Sequence, residues 1–296
     1  VAGLILNGIG VGMITNSVNM FIAGSSDDKM REDGFSLFNA GSLSGINCGM
    51  MLGASLAGIV GQRMVFGCSA AAWGLVAVLF FFMGKYMKGG CQGPKGKEKK
   101  NMGKFLASRG VLPYLFLIQL PYVVINSFVF YYVPIYGSAQ GFSESVVCLF
   151  LMLNSLCSVY LSVAVTGFVT RRLGEWSIYL SSFLSFAGLL MFGWKSTAPM
   201  LVLVLLLLGL ASSFGSPVRQ LFFTRLPGVR EYGEESAMGV FNFMDNAGES
   251  AGPVLFGSIM AGHGVLTGLA GFAAVSGAMN AVYAVLFGRH KKARKG

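Results

Sequence analysis

Nine stretches, most of them 20 or more residues long and largely apolar, run through this chain, at roughly 1–23, 35–60, 65–87, 111–137, 145–169, 176–194, 198–223, 236–261 and 265–288. A helix rises 1.5 Å per residue, so about 20 such residues match the ~30 Å hydrocarbon core of a bilayer. A water-soluble fold fails on charge. Only 11% of the 296 residues are charged and 54% are hydrophobic, where a soluble domain carries about 25% charge. The expected fold class is therefore all-α, a polytopic membrane protein. The 42 glycines have no triplet period and stand beside only 8 prolines, which excludes collagen. In membrane helices small residues let backbones approach closely.

One long polar stretch, 88–110, separates the third apolar segment from the fourth and reads as a solvated linker. With alternating sides and this linker inside, 19 of the 22 basic residues fall on the linker side, leaving Arg63 and Lys195 opposite and Arg219 within a helix. Such an asymmetry places linker and C-terminus in the cytoplasm. The location expected is the plasma membrane, or the inner membrane of a Gram-negative cell. The net charge of +10 is then a face beside anionic lipid rather than a nucleic-acid surface.

The chemistry of many enzymes is missing. Cys48, Cys68, Cys91, Cys148 and Cys157 form no CxxC, and His263 and His290 are the only histidines. No metal or cofactor is expected. Nor is there a Walker loop, HExxH or GxSxG, so neither an enzyme nor an ATP-driven pump is indicated.

A shift of 203 residues superposes Phe38 on Phe241, Asn39 on Asn242, Gly45 on Gly248, Gly49 on Gly252 and Gly12 on Gly215. Transporters are built from such repeats. Three helices of the second half lack partners here, so three further helices are expected before Val1.

Two helical halves, a basic linker and a basic tail together resemble the major facilitator superfamily, with these nine segments similar to its helices 4 to 12. GFVTRRLG at 167–174 resembles that family's second G-x-x-x-D-R-x-G-R loop, with Glu175 where a base is common. YYVPIY followed by GSAQGFS, 131–143, resembles its helix 7 end and the external loop after it. Met50 stands where the family's drug antiporters have proline, and Pro253 follows Gly252 in the other half instead. The resemblance implies the second part of an N-terminal bundle at 1–87, a linker at 88–110, a six-helix bundle at 111–288 and a cytoplasmic tail at 289–296. It makes Arg171 and Arg172 gating candidates. It also sets the stripe Gly41, Gly45, Gly49 and Gly53 opposite Ser158, Ser162 and Thr166, as a packing seam that slides during transport.

Within the eighth segment, Asn242, Asp245, Asn246 and Glu249 stand at i, i+3, i+4 and i+7, on one polar face of an apolar helix. From a start near Ser236, Asp245 lies about 14 Å in, close to the midplane. A carboxylate there costs several kcal/mol unless paired, hydrated or protonated, and a group that favours its proton suits a proton carrier, so Asp245 and Glu249 are the expected proton-coupling residues. A structural anchor between helices is the alternative. Gln119, Tyr122 and Asn126 share a face of a proline-interrupted helix and are expected to line a cavity with Asn242 and Asn246. Arg219, near the cytoplasmic mouth, is expected to gate or anchor.

The function expected is a proton-coupled secondary transporter of a small organic solute, a monomer working by alternating access, with export favoured over uptake. Its partners are the solute, protons and the lipid bilayer. A non-transporting sensor on the same fold is the alternative.

Overall fold

The computed structural model describes residues 2–24, 27–83, 102–108, 110–263 and 265–288. Among these residues there is no strand. The helices are α1 (Ala2–Ala23), α2 (Asp28–Val60), α3 (Gln62–Met83), α4 (Met102–Ala107), α5 (Val111–Ala139), α6 (Glu144–Leu173), α7 (Trp176–Trp194), α8 (Ala198–Thr224), α9 (Pro227–Tyr232), α10 (Glu234–His263) and α11 (Val265–Gly288). All nine apolar stretches are helical over their described residues. Five helices, α5, α6, α7, α8 and α11, are long and apolar enough to cross a membrane by length and composition. Shorter apolar runs fill Gly8–Ala23 and Arg63–Leu79. The polar face of α10 keeps that helix out of a purely hydropathic count.

Local chemistry sets the ends. Apolar patterning starts at residue 35, yet α2 starts at Asp28, because the Asp27 carboxylate accepts the Lys29 amide N–H at 3.0 Å and caps the first turn. Helix α7 has 19 residues, about 28 Å. Trp176 and Trp194 at its ends are exposed, as amphipathic rings at two membrane interfaces would be. In α6 the chain turns at Gly174, whose φ of 55° suits glycine.

The prolines of α5 do not break it. Instead Leu115–Gln119 and Phe128–Tyr132 form π-turns, each ending two residues before a proline, Pro121 and Pro134. A proline lacks the N–H that would bond four residues back, and the wider turn absorbs the loss. Two short helices lie outside the apolar pattern. In α4, at the end of the expected linker, Phe105 is buried and stacks on Tyr232 of α9 with centroids 4.3 Å apart.

The chain forms two compact units, residues 1–43 with 100–296, and residues 44–99. In the first, α8 packs on α6 and α7, α11 on α7, α10 on α5, and α1 along α10. Its core gathers Ala23, Phe35, Tyr114, Phe214, Phe223, Ala237 and Phe241. The second holds the later part of α2 with α3. There Leu52, Phe66, Trp73 and Phe81 are exposed, a surface suited to lipid.

Candidate functional site

Two glycines bring α10 against α5. A Cβ on Gly248 would stand 3.0 Å from Val123, and one on Gly252 would overlap the Ser127 side chain. Only a hydrogen fits, so the helices close there. One turn before Gly248, Asp245 meets Gln119, whose Nε2 donates to the carboxylate Oδ1 at 2.5 Å. Gln119 is buried and Asp245 half-buried. Counted from Val111 and Glu234, the two residues lie about 12 and 16 Å into their helices, near the middle of a ~30 Å core.

Arg219 joins this cluster. Its Cα is five residues from Thr224, about 8 Å from the end of α8, in keeping with a position towards one mouth. Its side chain runs back into the protein and is 0% exposed. The guanidinium lies 3.4 Å over the Tyr122 ring centroid, a cation–π contact. Nη2 donates to Ser181 Oγ at 2.9 Å and Ser182 Oγ at 3.0 Å on α7. The Tyr114 hydroxyl donates to the Arg219 carbonyl at 2.8 Å. A Cβ on Gly215 would stand 2.7 Å from Nη1, so this glycine makes the room. The partners of the cation are thus hydroxyls and a ring. Asp245 interacts with it through space, without an ion pair between them. A buried cation and a nearby carboxylate, both solvated mainly by neutral groups, are a costly arrangement to keep without a use.

The other expected residues divide. Asn126 is half-buried beside the Tyr122 hydroxyl. Asn242 turns to α1, donating from Nδ2 to Asn16 Oδ1 at 3.0 Å and accepting from Asn19 Nδ2 at 2.9 Å. Asn246 and Glu249 are exposed. Arg171 and Arg172 are exposed at the end of α6, with Arg172 over the Phe168 ring at 5.6 Å. A Cβ at Gly41, Gly45, Gly49 or Gly53 meets no atom of the described residues within 4 Å. On α6, the Ser162 and Thr166 hydroxyls donate to the Ser213 carbonyl of α8 at 2.9 and 3.3 Å, and Ser212 donates to Ser158. Ser162 also reaches the Ser36 carbonyl at 3.4 Å.

Beyond the apolar part of α2, Glu32 lies near Thr170, Arg171 and Arg225. Burial and the neighbouring Asp33 push the Glu32 carboxyl above its ordinary range, against the pull of those three partners. Arg31 pairs with Glu234 at 2.8 Å. Sequence reasoning missed Asn16, Asn19, Ser181, Ser182 and Glu32. Ser177, Ser181 and Ser185, spaced by four on α7, were the readable sign of a polar helix face.

The family model for the major facilitator superfamily matches residues 1–253. No curated protein matches the chain. Among solved structures, the crystal structure of the human organic anion transporter MFSD10 (TETRAN) is similar, with a TM-score of 0.65 at 16% identity. The match covers 90% of this chain and 66% of that one, so the chain spans just under two thirds of its structural relative.

Proposed function

The chain belongs to the major facilitator superfamily, and from that premise we propose that it serves proton-coupled secondary transport of a small organic solute by alternating access. It is a transporter fold rather than an enzyme. Asp245 is the proton carrier in this reading, and Gln119, Tyr122 and Asn126 form the polar wall of the solute path. One observation carries the proposal. The Asp245 carboxylate stands mid-helix on α10, one turn from Glu249, held by the Gln119 amide and close to Arg219, yet not ion-paired to it. An acid locked in a salt bridge could not exchange its proton cheaply, whereas one held by a neutral amide can be charged or neutral in place.

Arg219 adds a charge that can recognise an anionic group on the solute. The solved relative is named for organic anion transport, and an organic anion is the solute class to try first. The experiment uses the full-length protein in proteoliposomes. A solute found by its stabilisation of the purified protein is given outside, and a pH gradient is imposed. Accumulation that collapses when a protonophore is added is the expected result. Accumulation that ignores the gradient contradicts proton coupling.

A further inference from the structure

At the linker-side end of α6 lies a cavity that the transport reading leaves unused. Its volume is about 590 Å³, and it is lined by Asp33 of α2 with Ala164, Gly167, Phe168, Arg171 and Arg172 of α6. Small-ligand sites span about 300–1,000 Å³. Apart from Gly167, every lining residue is exposed. Among the described residues, Arg31 pairs with Glu234, whereas Arg171, Arg172 and Asp33 form no ion pair. An exposed cation at a helix C-terminus gains about 0.3–1 kcal/mol from the helix dipole. That explains a basic residue before Gly174, but not a cavity with an acid on the facing helix.

The depth of the cavity in the membrane follows from its neighbours. Trp176, four residues after Arg172, is 69% exposed, as a ring at a membrane interface would be. The arginines then stand at the level of lipid phosphates. Further in, the walls turn apolar. Phe168, one turn before Arg172, is 64% exposed and carries the Arg172 guanidinium 5.6 Å over its ring centroid. Ala164 is one turn deeper on the same helix, and Leu37, one turn from Asp33 on α2, is 68% exposed. A ligand seated here meets charge at one end and apolar surface at the other. Gly167 keeps the wall open, since a Cβ there would meet only Glu32 Oε1, at 3.8 Å, among the described residues.

Two arginines and one aspartate give the cavity a net charge of +1. A phosphodiester carries one negative charge, and the planar fork of arginine matches its oxygens. A headgroup hydroxyl can donate to Asp33. Choline offers Asp33 no N–H or O–H, and an ethanolamine headgroup, neutral overall, leaves the net charge of the cavity unanswered. Basic pockets between membrane helices on the cytoplasmic side suit anionic headgroups.

We propose that this cavity binds an anionic phospholipid with a hydroxyl-bearing headgroup, its phosphodiester on Arg171 and Arg172, its hydroxyl on Asp33 and an acyl chain along Phe168 and Ala164. The two arginines then hold lipid instead of gating. The inference rests on the linker side facing the cytoplasmic leaflet. It is independent of the solute and of the coupling proton.

The test uses full-length protein, purified in detergent and freed of lipid. Phosphatidylglycerol, phosphatidylethanolamine or phosphatidylcholine with the same acyl chains is titrated in, and bound lipids are counted by native mass spectrometry. The first phosphatidylglycerol should bind about tenfold more tightly than either other lipid. The double variant Arg171→Gln with Arg172→Gln should lose that preference. Gly167→Val fills the cavity without changing its charge and should weaken phosphatidylglycerol as well; where it fails to fold, the exposed double variant decides. Lys104→Gln with Arg230→Gln removes two exposed cations from the same side, outside the cavity, and should keep the preference. Equal binding of the three lipids overturns the proposal. So does a preference that survives loss of both arginines, or one that falls as far in the control pair. Soluble glycerol 3-phosphate should not displace the lipid at equal concentration; displacement would make a free phosphate the occupant and overturn the lipid site.

Discussion

At the scale of single residues, Arg219 is where sequence and structure part most usefully. Its position near a helix end was legible from counting. Its direction was not, because a long side chain chooses between snorkelling out and folding back, and that choice is made by Ser181 and Ser182 on another helix, with Gly215 one turn away making the room. Gly215→Ala should push a methyl into the guanidinium and lower stability by about 1–3 kcal/mol. Combined with Arg219→Ala the loss should shrink, since the nearest clashing group is gone and only the Ser181 side chain remains in the way, and a double-mutant cycle of thermal unfolding would read the coupling. Additive losses would mean that the arginine does not sit there. Glu32 gives a second expectation. Its carboxyl is held above the ordinary 4.5, so the folded state binds a proton more tightly than the unfolded one. The sign follows: stability rises as pH falls through the raised value towards 4.5, and declines as pH climbs through it. Glu32→Gln keeps the size of the side chain, removes the titration and should flatten that slope in urea titrations run across this window.

At the scale of elements, hydropathy found every long helix because apolar length is a local property. The polar face of α10 was equally readable, since Asn242, Asp245, Asn246 and Glu249 obey helical spacing. How that face divides was not readable. Asn242 and Asp245 meet α1 and α5, whereas Asn246 and Glu249 remain exposed, a split set by which neighbours arrive. Glycine spacing leaves a similar question open. The stripe on α2 is the more regular, yet its repeat partners Gly248 and Gly252 make the close approach, against Val123 and Ser127. Gly252→Leu should therefore unfold the protein at markedly lower temperature. Gly41→Ala, where an added methyl meets no atom of the described residues within 4 Å, should leave the melting temperature unchanged. Equal melting temperatures for the two variants would contradict the α5–α10 contact. The short helix α4 was hidden for another reason: its buried Phe105 lies in a lysine-rich run that reads as solvated.

For the whole molecule, charge asymmetry is the ground for expecting the linker in the cytoplasm. Cys91, which lies outside the described residues, should react with an impermeant maleimide only after the cell is opened; labelling of intact cells would invert the topology. The central claim is that Asp245 carries the coupling proton, and one measurement bears on it most directly. Asp245→Asn retains size and hydrogen-bonding capacity and removes the titration, and Asn246 beside it shows that an amide suits this helix. Solute accumulation by the variant and the parent is compared in proteoliposomes with and without an imposed pH gradient. The account requires that Asp245→Asn lose gradient-driven accumulation while keeping downhill exchange of solute. Accumulation by the variant equal to that of the parent would contradict it.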